Sequence, residues 1–238
     1  MSPTHLLFDV GDTLLQTREY NLERGIEAML DRSGNAGPKD LKRAMERSRA
    51  LNDLFNIRAS ESDLEYSQQA FHRLLYEGLG IEFDDDALEL EMVYWDATFR
   101  FDPEPGVHEV LAELGRREIP MGIVSNVCFS AEVVRHELEK HDLARFFPFI
   151  LGSADYGIRK PQPVLFDLGV FKLNAEGHKT AYTGNMVPYD IVGAARAGLL
   201  PVWYNRYGHE AELPEGTIVI RHWEDFLEAL EFDTPGGD

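Results

Sequence analysis

The first strand-like run of the chain, residues 6–10, is separated from the next, residues 121–125, by about a hundred residues. Parallel neighbours are joined by a crossover of a dozen or so residues, usually one helix, so a gap this long requires an inserted unit. Further short runs rich in β-branched and aromatic residues, 149–152, 181–183, 201–204 and 217–220, read as buried strands. Residues 131–140, 163–173, 191–197 and 223–230 carry helical periodicity. Strand alternating with helix predicts an α/β fold, a Rossmann-like parallel sheet with helices on both faces.

Within the insertion, Leu22, Ile26, Met29 and Leu30 share one helical face, as do Tyr66, Ala70 and Leu74, and Leu88, Met92 and Trp95. Turn-forming runs at 33–38 and 78–80 punctuate these stripes, giving about four helices. Pro103 and Pro105 mark the return to the sheet. The expected organisation is a core of residues 1–16 and 101–238 and a helical-bundle cap domain of residues 17–100, with hinges near 15–17 and 100–106. The stripes are expected to be packing core, with no cofactor needed to explain their Met and aromatic members.

Lys plus Arg number 23 and Asp plus Glu 42, a formal net charge of −19. Nucleic acids and anionic membranes attract basic surface, so neither is an expected partner. No apolar run approaches the ~18 residues of a membrane-spanning helix. The opening Met1-Ser2-Pro3-Thr4-His5 lacks the basic and apolar regions of a signal peptide. The single cysteine, Cys128, has no intrachain partner and no basic neighbour in sequence, so it is expected to be a small buried hydrophobe in a cytoplasmic protein. His136 and His141 do not share a helical face and read as surface residues rather than metal ligands. Residues 234–238 read as a frayed tail. Nothing in the sequence fixes an oligomeric state.

In an open α/β sheet, ligands bind beyond the carboxyl ends of the strands. The residues leaving these strands are polar: Asp9 in Phe8-Asp9-Val10-Gly11-Asp12-Thr13-Leu14, then Ser125-Asn126, then Lys160 in Gly157-Ile158-Arg159-Lys160-Pro161, and finally Thr183-Gly184-Asn185 with Asp190. Each alone has a structural reading, as a helix cap, a turn, a solvated lysine or a dipole partner. Together they fall where one site is built. A carboxylate, a hydroxyl, an ammonium and a second carboxylate suit nucleophilic attack on an anionic substrate, with a metal balancing charge. Phosphate-loop, nucleophile-elbow and zinc-protease motifs are absent.

These motifs, with Arg159-Lys160-Pro161-Gln162-Pro163 and Phe166 and with Gly193-Ala194-Ala195-Arg196-Ala197-Gly198, resemble the haloacid dehalogenase superfamily of hydrolases, in its helical-cap subgroup. The resemblance covers nearly the whole chain. It implies that Asp9 attacks phosphorus, that Ser125 and Asn126 bind the transferring group, and that Lys160 neutralises charge. It also implies a magnesium ion held by Asp9, the Gly11 carbonyl, Asn185 and Asp190, a small phosphorylated metabolite as substrate, and a cap that selects it.

Two departures stand out. The family's phosphatases carry an acid/base Asp two residues after the nucleophile, where this chain has Gly11. Asp12, one residue further on, reads as a solvated or loop-stabilising carboxylate, with a compensating acid/base role as the alternative. Asn185 stands where a metal-binding Asp is usual, and an amide oxygen ligates magnesium without contributing charge. General acid/base catalysis is worth roughly 10² to 10⁴ in rate, and phosphate monoester enzymes accelerate by up to about 10²¹, so turnover is expected to be impaired rather than lost. The expected activity is a magnesium-dependent phosphatase working through an aspartyl-phosphate. The alternatives are hydrolytic dehalogenation of a 2-haloacid, which needs neither the acid nor the metal, and a binding or regulatory protein without useful turnover.

Overall fold

The computed structural model describes residues 2–230 and 232; the expected tail at 234–238 lies outside them. The strands are β1 (His5–Phe8), β2 (Leu15–Tyr20), β3 (Phe99–Pro103), β4 (Met121–Ser125), β5 (Ile150–Gly152), β6 (Thr180–Gly184), β7 (Leu200–Tyr204) and β8 (Ile218–Ile220). The helices are α1 (Leu22–Arg32), α2 (Asp40–Glu61), α3 (Gln68–Tyr76), α4 (Ala87–Thr98), α5 (Val107–Arg116), α6 (Ala131–Lys140), α7 (Ser153–Tyr156), α8 (Pro163–Lys172), α9 (Val192–Arg196) and α10 (Phe226–Ala229). Six strands form one all-parallel sheet in the order β5-β4-β1-β6-β7-β8.

Alternation along the strands assigns side chains to the two layers of helices. Leu6 and Phe8 of β1, with Met121 and Ile123 of β4, pack against Val110, Leu111 and Leu114 of α5 and Phe226 of α10. Leu7 and Val124 face the other way, onto Leu165 and Phe166 of α8 and Ala194 of α9. Leu6, Leu7 and Phe8 are fully buried, and each such side chain contributes about 1.5–3 kcal/mol. With both faces covered, β1 reads as an unbroken apolar run, and its first polar residue, Asp9, falls at the strand end.

The segment between β1 and β4 is mainly helical, with α1, α3 and α4 burying Ile26, Met29, Phe71, Leu75, Tyr76, Tyr94 and Trp95 in a second core, which Phe129 and Val133 join from the sheet side. The two expected hinge segments are not separate linkers. They pair with each other as the antiparallel ribbon β2–β3, from Leu15 opposite Pro103 to Tyr20 opposite Phe99, with a register shift between Thr17 and Glu19. The Leu-Gln-Thr-Arg-Glu-Tyr sequence of β2 is mostly polar and its partner lies some eighty residues away, so no local signal marks it.

The helical segment is docked on the sheet domain. Trp95 Nε1 donates to Glu137 Oε2 at 2.8 Å, and Ser130 donates to the buried Glu91 from its backbone N at 3.0 Å and from Oγ at 2.7 Å. The backbone around residue 64 forms a bridge with residue 158: Glu65 N donates to Gly157 O and Arg159 N to Asp63 O. His136, expected at the surface, is instead half-buried and lies 3.1 Å from Asp96 of α4. Cys128 is half-buried, packed beside this apolar cluster with Sγ 3.7 Å from Gln68 Oε1, and burial pushes its thiol up to about 12. Among the described residues no helix is long and apolar enough to cross a membrane.

Candidate active site

The carboxyl ends of β1, β4 and β6 open into one cleft of about 300 Å³, lined by Asp9, Gly11, Asp12, Ser125, Asn126, Arg159, Lys160, Asn185, Met186, Tyr189 and Asp190. All of the residues singled out in the sequence meet there. A larger cavity of about 460 Å³ lies inside the helical segment, among Met29, His72, Tyr76 and Phe83, and includes none of them.

Three short loops set the geometry. Asp9 follows β1 directly, with its backbone N bonded to Thr183 O at 2.9 Å. Lys160 is held by its backbone: Asn126 Nδ2 donates to Lys160 O at 3.0 Å and Lys160 N donates to Asn126 Oδ1 at 2.8 Å. The Asn126 amide, expected on substrate, is thus committed to fixing the lysine. Residues Val187–Ile191 form a π-helical turn, which returns Asp190 to the end of β6. Met186 N donates to Asp190 Oδ2 at 2.8 Å, and a side chain on Gly184 would collide with Asp190. Trp203 Nε1 donates to Asn185 O at 3.0 Å and anchors that residue.

Lys160 is only 1% exposed, and all its donors are engaged. Nζ donates to Asp9 Oδ1 at 2.9 Å, Asp190 Oδ1 at 2.6 Å and Tyr182 Oη at 2.6 Å. Tyr182 Oη in turn donates to Val124 O at 2.7 Å. Ser125 Oγ donates to Asp9 Oδ1 at 2.9 Å. Burial works against the ammonium, but Asp190 and Asp9 outweigh it and hold Lys160 above its ordinary range. Burial, the largest influence on Asp190, holds its carboxyl above the usual range against the pull of Lys160. Burial and then the two carboxylates keep the Tyr182 phenol protonated.

The other oxygen of Asp9, Oδ2, has only a long contact, 3.5 Å, from Thr13 Oγ1. The same hydroxyl lies 3.5 Å from Asn185 Oδ1, so both oxygens border the Thr13 hydroxyl. Among the described residues no three His, Cys, Asp or Glu side chains are placed to hold a metal. The oxygen donors in the lining are Asp9 Oδ2, Asn185 Oδ1, the backbone of Gly11 and the Asp190 carboxylate, whose oxygens already accept from Lys160 and Met186 N, a set of low charge made only of oxygen. Such a set fits magnesium, a hard ion that keeps several waters and binds through one or two carboxylates plus substrate phosphate.

Asp12 has a structural task. It adopts φ 52° and its Oδ1 accepts from Thr17 N at 3.1 Å, stabilising the loop into β2. Gly11 is not in the left-handed region, and a Cβ there would meet nothing within 4 Å, so no backbone requirement explains the glycine. Thr13, which touches Asp9, appears in the sequence reading only within the Asp9 motif, and Tyr182, which touches Lys160, escaped it. Tyr182 sits inside an apolar strand, where a tyrosine reads as core. Among the described residues, none of α1–α4 lines the cleft; the helical segment reaches it through Glu65, whose Oε2 lies 3.8 Å from Arg159 Nε.

A parallel α/β core with a carboxylate–lysine–carboxylate cleft at its strand ends is a Rossmann-like build with its candidate site where such sheets bind ligands. A family model described as haloacid dehalogenase-like hydrolase matches residues 6–203, and the chain belongs to that family. It is 27% identical over 240 residues to the glyceraldehyde 3-phosphate phosphatase of Pyrococcus furiosus, covering 95% of this chain and 92% of that protein. It is 28% identical over 156 residues to the phosphoserine phosphatase of Thermus thermophilus, covering 66% of this chain but 61% of that protein. Among solved structures, the 2-haloacid dehalogenase of Pseudomonas syringae pv. Tomato DC3000 shares the fold with a TM-score of 0.69 at 22% identity, covering 97% of this chain and 98% of that one.

Proposed function

We propose that the protein is a phosphatase of small phosphate monoesters, with Asp9 as nucleophile, Ser125 and Lys160 binding the transferring phosphoryl, and a magnesium ion held by Asp9, the Gly11 carbonyl, Asn185 and Asp190. The observation that carries this reading is the Asp9–Lys160–Asp190 bridge at the strand ends, with Asp9 Oδ2 and Asn185 Oδ1 each 3.5 Å from the Thr13 hydroxyl beside it. Phosphoryl transfer depends on positioning and charge neutralisation, which this arrangement of carboxylates, ammonium and amide oxygen serves. Residues 1–16 and 101–238 would form the catalytic core and 17–100 the cap.

In this scheme Asp9 Oδ2 attacks phosphorus, the P–O bond to the leaving group breaks, and the phosphoryl resides on Asp9. Ser125 and Lys160, both on Oδ1 at rest, orient the carboxylate so that Oδ2 faces the substrate. Magnesium supplies the charge that neutralises the phosphoryl oxygens. Water then attacks phosphorus, releasing inorganic phosphate and the Asp9 carboxylate. With glycine at position 11, the departing oxygen takes its proton from solvent, which makes esters with good leaving groups the better substrates.

Acid quench of the protein during turnover of a phosphate ester, followed by peptide mass analysis, tests the scheme. A phosphoryl group on the peptide containing Asp9, absent in Asp9→Asn, is expected. Turnover with phosphate carried on another residue would overturn the assignment.

A further inference from the structure

Arg159 is the unexplained cation of the cleft. It precedes Lys160 and lines the same cavity, yet its side chain is 22% exposed where Lys160 is sealed at the floor. Its guanidinium lies over the ring of Tyr189, 5.4 Å from the centroid, and Tyr189 is itself 38% exposed at the cleft wall. An arginine offers five N–H donors in a rigid fork, and this one makes no side-chain hydrogen bond among the described residues. Nε is buried without a partner, and the nearest carboxylate, Glu65 Oε2, stands off at 3.8 Å while accepting from Ser153 Oγ at 2.9 Å.

The charges of the cleft give this position its meaning. At rest the ammonium of Lys160 is shared among Asp9, Asp190 and Tyr182, so its charge is spent beside the nucleophile at the floor of the cleft. Asp12 adds a further carboxylate to the lining. Among the described residues Arg159 is therefore the lining cation whose guanidinium makes no hydrogen bond, its ion-pair contact being the 3.8 Å approach of Nε to Glu65 Oε2. We propose that Arg159 is a specificity-determining residue that binds a carboxylate on the far end of the substrate, making the preferred substrate a small phosphate monoester that is also a carboxylic acid. This inference rests on the phosphatase reading above.

Two features favour a carboxylate over a second phosphate. The planar fork matches a carboxylate with two parallel hydrogen bonds. One guanidinium balances one negative charge, whereas a phosphate group brings about −1.5 to −2 into a cleft already rich in acids. Stacking on Tyr189 and the Glu65 contact from the helical segment preorient the fork, so less freedom is lost on binding.

The test compares kcat/KM on 2-phosphoglycolate with that on 2-hydroxyethyl phosphate, which replaces the carboxylate with a neutral hydroxymethyl group. It uses the full chain with magnesium, as wild type, Arg159→Met and Arg159→Lys. The wild type is expected to prefer the carboxylate ester by at least ~10-fold, and Arg159→Met to lower that preference by about 10- to 100-fold, the range for a charge-assisted hydrogen bond, mainly through KM. Arg159→Lys, which keeps the charge and loses the fork, should fall between. Equal kcat/KM on the two esters in the wild type, or an equal fall on both in Arg159→Met with Arg159→Lys restoring both, overturns the inference and leaves the phosphatase reading standing. A stronger preference for 1,2-ethanediol bisphosphate than for 2-phosphoglycolate also overturns it. Failure to release phosphate from either ester or from p-nitrophenyl phosphate overturns the phosphatase reading together with this one.

Discussion

The ammonium of Lys160 bridges the carboxylates of Asp9 and Asp190 at 2.9 and 2.6 Å, and Tyr182 Oη takes its third donor at 2.6 Å. The lysine is thereby locked to one position, with Oδ2 of Asp9 left on the cleft side. Replacing Tyr182 by Phe frees one donor and leaves Val124 O without its partner. We expect a loss of about 1–3 kcal/mol in stability, read by denaturant unfolding, and a fall in kcat of about 10-fold with KM little changed, as for a group that positions another.

Gly11→Asp is expected to raise kcat on an alkyl phosphate by at least ~10-fold and much less on an activated aryl phosphate, because only the former needs a proton donor. The site has room: a Cβ at position 11 meets nothing within 4 Å and the backbone is unstrained. Steady-state rates across esters of graded leaving-group pKa check this, and an unchanged slope in the variant would contradict it.

Asn185→Asp should lower the magnesium concentration giving half-maximal rate by restoring a charged oxygen near Asp9 Oδ2. A chelator should abolish turnover in both proteins, and the magnesium titration separates them. The effects of the Gly11 and Asn185 variants need not add, since both act on one transition state.

His72 makes stability pH-dependent through the helical segment. It is buried beside Tyr76 and Tyr94, accepts from Gln68 Nε2 at 2.8 Å, and burial pushes its pKa down from 6.5 to about 3. Between those values the unfolded chain binds a proton that the folded chain refuses. Its contribution is fully present above about pH 6.5 and declines as pH falls toward 3, by up to about 1.4 kcal/mol per pH unit. In His72→Phe, the fall of melting temperature between pH 6.5 and 4 should be shallower than in the wild type.

The sheet was legible because each of its strands is a compact apolar run, and Met121–Ser125 has the bounds expected of it. The ribbon β2–β3 was not, because its polar strands signal only through a pairing across the whole insertion. The site was legible where polar residues interrupt apolar strands at their ends, as at Asp9, Ser125 and Asn185. Tyr182 was hidden inside such a strand, one side chain facing the lysine among neighbours that face the core. Asn126 was legible as a site residue while its partner was not, since a backbone clamp on Lys160 leaves no trace in composition.

The most direct measurement is the release of phosphate from p-nitrophenyl phosphate and of halide from a 2-haloacid, each with and without magnesium, for the wild type and Asp9→Asn. Phosphate release that requires magnesium and is lost in Asp9→Asn, without halide release, is the expected result. Halide release independent of magnesium, or phosphate release undiminished in Asp9→Asn, would contradict the account.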